Sequence, residues 1–267
     1  MNEKDGISVL KEIKEVFDRN NLTFWLECGT LLGAYRDGTF IKDDHDIDIG
    51  MWLEDSKKIN LCCDELKEKG FDVYYGTPGY VMKDNSVPHG LWKKGCPVGF
   101  FLYYKNKEKN FTYEILIPLH KFGQFIDYII WFLDLRRPEV KKRDKSKVPL
   151  VVSKFLSNLC RFIPFFIRIK MINALQIFYK KTDCIHIETS IPCKYFKKMV
   201  DFKFYEVNFK IPYKTEEYFE RRYGKDWKTP LKIFDGSKVI TRKYKYGGKE
   251  YKNKKFIQNY SEKCFEY

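Results

Sequence analysis

Two short stretches, read as a pair, constrain this chain most. Thr23 to Glu27 (TFWLE) is rich in β-formers and runs straight into Gly29-Thr30. About sixteen residues later, Asp46 to Trp52 (DIDIGMW) alternates polar and apolar residues at the period of a strand. Between them LLGAYR forms a short helix, stopped by Asp37-Gly38. Strand, glycine turn, helix and second strand commit this region to a sheet covered by helices.

The flanks extend that pattern. Ile7, Leu10, Ile13, Val16 and Phe17 recur at helical spacing, and Asn20-Asn21 closes the segment. Ser56 is placed to cap a helix carrying Ile59, Cys62, Cys63 and Leu66, with Gly70 as its stop. Phe71 to Tyr75, Gly99 to Lys105 and Phe111 to Ile117 read as further strands, the last two joined by NKEKN. Thr215 is placed to cap EEYFERRY, which Gly224 ends. The expected class is α+β, a mixed sheet flanked by helices. One domain over 1–267 is expected, with a core of about 1–135 and 183–235, a helical insertion at about 145–182 and a basic tail at 238–267.

Charge matters most in the insertion. The chain carries 50 Lys+Arg against 36 Asp+Glu, so its partner is anionic: nucleic acid, anionic lipid headgroups or a phosphorylated substrate. From Lys145 to Thr182 there are eight basic residues and no acidic one. Lys154, Arg161, Arg168 and Lys170 interrupt every apolar run short of the roughly 18 residues a spanning helix needs. Two readings stay open: helices broken near Pro164 that lie on an anionic membrane surface, or a helical subdomain with its apolar face on the sheet and its cations in solvent. The opening residues MNEKDG lack the apolar core of a secretory signal, so a cytoplasmic place is expected, with peripheral attachment at the cytosolic face of a membrane under the first reading. Eight cysteines without a CxxC pair read as scattered reduced thiols rather than a disulfide framework or zinc site, the group Cys184, His186 and Cys193 included.

Against that positive background the acidic run Asp43, Asp44, Asp46, Asp48 stands out. On a strand Asp44, Asp46 and Asp48 share one face, while Ile47 and Ile49 anchor the other. Three carboxylates within about 13 Å repel one another unless a cation sits among them. Oxygen ligands suit Mg2+ or Mn2+, which keep positions open for substrate phosphates. Gly29 permits close backbone approach, the N–H groups of the following helix with the Thr30 hydroxyl make an anion site, and Arg36 supplies a further phosphate contact.

This combination resembles the active-site hallmark of the polymerase-beta-like nucleotidyltransferase fold. The string WLECGTLLGAYRDGTFIKDDHDIDIGM is similar to one branch of it, the LicD/fukutin family of phosphotransferases. A second block, Ile211 to Pro230, resembles that family's C-terminal signature, with Tyr218, Tyr223, Gly224, Trp227 and Pro230 at matching positions. The resemblance implies metal-dependent transfer of a phosphorylated group, such as phosphocholine or a polyol phosphate, from a CDP-linked donor to a hydroxyl of a glycan or glycolipid, as in polysaccharide biosynthesis, with no nucleic-acid partner. It carries over Asp44, Asp46 and Asp48 as metal ligands, Gly29 and Thr30 as the phosphate turn and Arg36 as a phosphate contact, with Asp46 or Asp48 as the proton acceptor. Two departures stand beside it. Lys42 and Asp43 replace the usual Pro and aromatic residue, and Gly99 replaces a later-strand Asp that many members carry, with Glu114 and Asp127 as conceivable substitutes. The alternatives are nucleotide transfer to RNA or a small molecule, and a non-catalytic binding subunit.

Overall fold

The computed structural model describes residues 1–42, 44–75, 80–106, 109–118, 121–133, 159–160, 162–179, 181, 184–230, 242–246 and 249–251. In chain order these form α1 (Glu3–Arg19), β1 (Phe24–Leu26), α2 (Cys28–Arg36), β2 (Ile47–Trp52), α3 (Ser56–Glu68), β3 (Asp72–Tyr74), β4 (Tyr80–Met82), β5 (Gly90–Lys93), β6 (Cys96–Asn106) and β7 (Lys109–Pro118). Then follow α4 (Lys121–Leu133), α5 (Phe165–Tyr179), β8 (Cys184–Pro192), β9 (Met199–Phe204), β10 (Val207–Pro212), α6 (Thr215–Tyr223), β11 (Arg242–Tyr246) and β12 (Lys249–Tyr251). The chain groups into two compact units, the first made of Met1–Tyr74, Val87–Thr112 and Ser190–Thr241, the second of Tyr75–Ser86, Tyr113–Thr189 and Arg242–Tyr267.

The first unit is built on a mixed sheet in the order β3-β5-β6-β2-β1-β10-β9. β1 runs antiparallel to β2, with Leu26 opposite Ile49, and parallel to β10. β2 runs parallel to β6, with Asp48 opposite Gly99. The antiparallel pairing of β1 with β2 brings the end of β1, the start of α2 and the start of β2 to one end of these central strands, which is where the candidate site lies.

Helix α1 forms on the expected stripe, burying Val9, Leu10, Ile13, Val16 and Phe17, while α3 buries Ile59, Cys62, Cys63 and Leu66. Each such side chain contributes about 1.5–3 kcal/mol of burial. Trp25 is fully buried at the centre of an aromatic group, its ring 5.3 Å from Trp52, 5.7 Å from Tyr103 and 5.2 Å from Phe196.

Several expectations need correction. Helix α2 begins at Cys28, so Gly29 and Thr30 lie inside its first turn rather than before it. Ser56 is not a cap: a 3-10 turn over Leu53–Asp55 leads into α3, and Ser56 is already helical. Thr215 is likewise the first helical residue of α6, its hydroxyl donating to the Pro212 carbonyl at 2.5 Å instead of closing its own helix. Strands β4, β5 and β8 to β10 were not anticipated. The β9–β10 hairpin turns at Tyr205-Glu206, both at positive φ (46° and 64°), without the Gly, Asn or Asp that signals such a turn.

In the second unit β7 pairs antiparallel with β4, and β8, β11 and β12 form an antiparallel set. Helices α4 and α5 meet through Ile126, Ile130, Leu133 and Ile172. Of the expected insertion at 145–182, residues 145–158 lie outside the described residues, as does most of the basic tail at 238–267. Among the described residues no helix is long and apolar enough to cross a membrane.

Gly50 of β2 lies directly against the Trp25 indole, so any Cβ there collides with the ring. Gly50→Ala is therefore expected to destabilise the first unit by about 1–3 kcal/mol, read as a lower urea midpoint at unchanged slope. A neutral substitution would show that Trp25 does not pack as described.

Candidate functional site

The site is organised around one peptide. The Asp48 N–H donates to Thr30 Oγ1 at 2.9 Å, and the Asp48 carbonyl accepts from the Glu27 N–H at 3.0 Å. The first residues of α2 are thus tied to the start of β2 on both sides of the acidic residue. Thr30 is buried, with its oxygen engaged in this bond.

The acidic run does not sit on one strand face as expected. β2 starts at Ile47, so only Asp48 belongs to it. Asp44 and Asp46 lie in the irregular segment before it, where the Asp44 N–H donates to the Ile41 carbonyl at 3.0 Å. The loop nevertheless gathers the carboxyls. Asp44 and Asp46 hydrogen-bond to each other, and burial together with that neighbour pushes the Asp46 carboxyl up to about 7. Asp48 is raised well above the carboxylate range by burial first, then by Asp46 and Asp44, with Arg222 opposing.

The absent side chain of Gly29 explains part of this gathering, because the Asp44 carboxylate occupies the space its Cβ would fill. Gly29 serves here as a seat for Asp44. Across the sheet, a Cβ on Gly99 would stand 3.2 Å from Asp48 Oδ1. Position 99 thus faces the site, and glycine leaves it without a carboxylate. The Glu114 and Asp127 side chains lie outside the described residues. Arg36, at the far end of α2, gives both its Nε and Nη2 to Asp37, at 2.8 and 2.7 Å, and is not brought to Gly29-Thr30.

Sequence reasoning missed the buried layer beneath the site. Glu27 is fully buried and accepts from Trp25 Nε1 at 2.8 Å and from the Tyr218 hydroxyl. Arg222 lies 3.4 Å from the same carboxylate and donates through Nη2 to Cys28 Sγ at 2.7 Å. Cys28 adopts a left-handed backbone (φ 47°), costly for a residue with a Cβ, and this bond helps hold it there. Burial pushes its thiol up, which keeps it protonated. Nothing in ERRY separates buried Arg222 from exposed Arg221; helical phase against Tyr218 was the only usable signal.

The donor chemistry fits a hard divalent cation: Asp44, Asp46 and Asp48 offer oxygen only, and burial with the neighbouring Asp44 pushes the Asp46 carboxyl up, a repulsion that a cation would relieve. Among the described residues no three His, Cys, Asp or Glu side chains already form a ready metal cage.

A strand edge, a helix opened by glycine and a small hydroxyl residue, and an adjoining acidic run define a nucleotidyltransferase-type domain. The chain belongs to the LicD/FKTN/FKRP nucleotidyltransferase-domain family, whose model matches residues 21–158, just over half of it. That span holds Gly29, Thr30 and the acidic run and stops short of the block at 211–230. An uncharacterized protein, RT0683 of Rickettsia typhi, is 27% identical over 201 residues, covering 71% of this chain and 65% of that protein. Human ribitol 5-phosphate transferase FKRP is 29% identical over 140 residues, covering 52% of this chain and 25% of FKRP. The chain therefore spans less than two thirds of these relatives. Among solved structures, the antibiotic-resistance factor ANT(2'')-Ia aligns with 67% of this chain and 94% of its own at 16% identity and a TM-score of 0.30.

Arg222→Met strands Glu27 as an unpaired buried charge, at an expected cost of about 3–5 kcal/mol. Adding Glu27→Gln should restore part of that loss. Additive effects of the two substitutions in a denaturation cycle would show that they are not coupled.

Proposed function

We propose that this chain transfers a phosphorylated group, of the polyol phosphate or phosphocholine type, from a CDP-linked donor to a hydroxyl of a glycan or glycolipid. Family membership supports a transferase of phosphorus-containing groups, and the ribitol 5-phosphate transferase likeness favours the polyol type. The observation that carries the reading is the placement of three carboxyls beside the first turn of α2, anchored through the Asp48 peptide.

In this reading Asp44, Asp46 and Asp48 hold Mg2+ or Mn2+, which when bound supplies charge to offset the donor diphosphate. The opening N–H groups of α2 face the donor phosphates with the positive end of the helix behind them. The carboxylate of Asp46 or Asp48 accepts the acceptor proton as the hydroxyl oxygen attacks phosphorus. The bond from phosphorus to the CMP oxygen breaks and CMP leaves. Glu27 and Arg222 touch neither reactant; they fix the turn from below. Arg36 joins the phosphates only if it leaves Asp37.

Incubating the protein with Mg2+ and a panel of CDP-linked polyols and CDP-choline should release CMP. Asp46→Asn and Asp48→Asn should each abolish release while leaving the melt intact; full activity in both would overturn the mechanism. Gly99, opposite Asp48 without a carboxylate, favours a second reading as a non-catalytic binding subunit. That reading requires stabilisation by Mg2+ and a CDP compound with no CMP released from any donor.

The raised Asp46 carboxyl also sets a pH dependence. Its folded value, about 7, lies above the ordinary 3.8, so its contribution to stability is full below 3.8 and is lost as pH rises through about 7. A cation must displace that proton, so Mg2+ or Mn2+ should raise Tm more at pH 8 than at pH 6. Equal shifts at both values, read by differential scanning fluorimetry, would exclude Asp46 as a ligand.

A further inference from the structure

Helix α5 carries large apolar side chains on its outward face as well as its inward one. Toward the second unit it presents Ile169 and Ile172, but also Gln176 and Asn173, which together accept hydrogen bonds from buried Asn85 at 3.0 and 2.6 Å. Away from it, one helical face carries Phe166, Ile167, Met171, Ile177 and Phe178, with Lys170 in their midst. Phe166 and Ile177 are 61% and 64% exposed, and Phe162, just before the helix, is 85% exposed. An apolar face packed against the sheet, with cations outward, is therefore not what α5 shows. The surface continues onto α4, where the exposed Phe122 ring lies 6.0 Å from that of Phe178. Among the described residues nothing covers this face, and monomeric soluble proteins rarely leave so many large apolar side chains together in contact with solvent.

Charge selects the occupant. Beside this face Lys170 and Lys181 are exposed, and the sequence from Lys145 to Thr182 holds eight basic residues and no acidic one. A second copy of the chain would set these cations against themselves, whereas an anionic bilayer satisfies both the rings and the cations. The helix has 15 residues, about 22 Å at 1.5 Å per residue, against roughly 30 Å of hydrocarbon. It can lie in the interface but not cross it, with Lys170 extending its ammonium to the headgroups.

We infer that the outward face of α5, with the adjoining start of α4, is a monotopic docking surface for an anionic membrane. This goes beyond the transfer chemistry and is measured without donor or acceptor. In flotation assays, the full chain should rise with phosphatidylcholine vesicles containing about one third phosphatidylglycerol and stay behind with pure phosphatidylcholine. The variant Phe166→Ser, Ile177→Ser, Phe178→Ser should lower the bound fraction at least about tenfold with an unchanged melt. Lys170→Glu, on the exposed surface, should weaken binding in the same assay and decides the matter if the triple variant fails to fold. The inference is overturned if the wild-type chain does not float, if Lys170→Glu binds as well as wild type, or if neutral vesicles bind equally. It is also overturned if light scattering shows a dimer that the triple variant dissolves, which places a second copy on the face.

Discussion

The candidate site depends on how the Asp48 peptide is held. Its N–H is taken by the Thr30 hydroxyl and its carbonyl by the Glu27 N–H, so the register between α2 and β2 is fixed at the acidic residue itself. Both bonds are buried or partly buried, where an unmade bond costs about 1–3 kcal/mol. A slip of one residue along β2 would break both and turn Ile47 and Ile49 out of the core. The same two bonds that tie the start of α2 to β2 therefore aim the chemistry of the site.

That arrangement accounts for the layer beneath. Glu27 gives its backbone to Asp48 and its carboxylate to Trp25, Tyr218 and Arg222, so one residue links the site to the aromatic core and to α6. The ion pair offsets a charge that the packing has already buried, and its worth lies in position rather than in net stability. It explains physically why a block near the end of the chain should accompany an acidic run near its start: Tyr218 and Arg222 complete the floor under Cys28 and Glu27.

Much of this was legible in the sequence where local rules decide. The stripes of α1 and α3 and the strand at 47–52 follow from spacing, because burial on one face imposes a period. What escaped depends on tertiary contacts. The strand starts only at Ile47, and Asp44 before it is held by a turn bond to Ile41, which no periodicity encodes. Gly29 read as a seat for phosphate, yet the space beside it holds the Asp44 carboxylate, a contact with no local signature. The β9–β10 hairpin was missed because Tyr205 and Glu206 adopt left-handed conformations that their side chains disfavour, paid for by surrounding packing.

Gly99 shows how far a single vacancy reaches. The parallel register puts it opposite Asp48, and its backbone leaves 3.2 Å between a hypothetical Cβ and Asp48 Oδ1. A carboxylate there would add another acidic group beside Asp46 and Asp48, whose carboxyls burial and acidic neighbours already push up. Without it, the repulsion to be neutralised is smaller, so a cation gains less by entering and the empty site tolerates its own charge better. If the proposed site takes a cation, the expected consequence of glycine at 99 is a weaker grip on it rather than a broken frame, because the bonds that hold Asp48 in place run through Thr30 and Glu27.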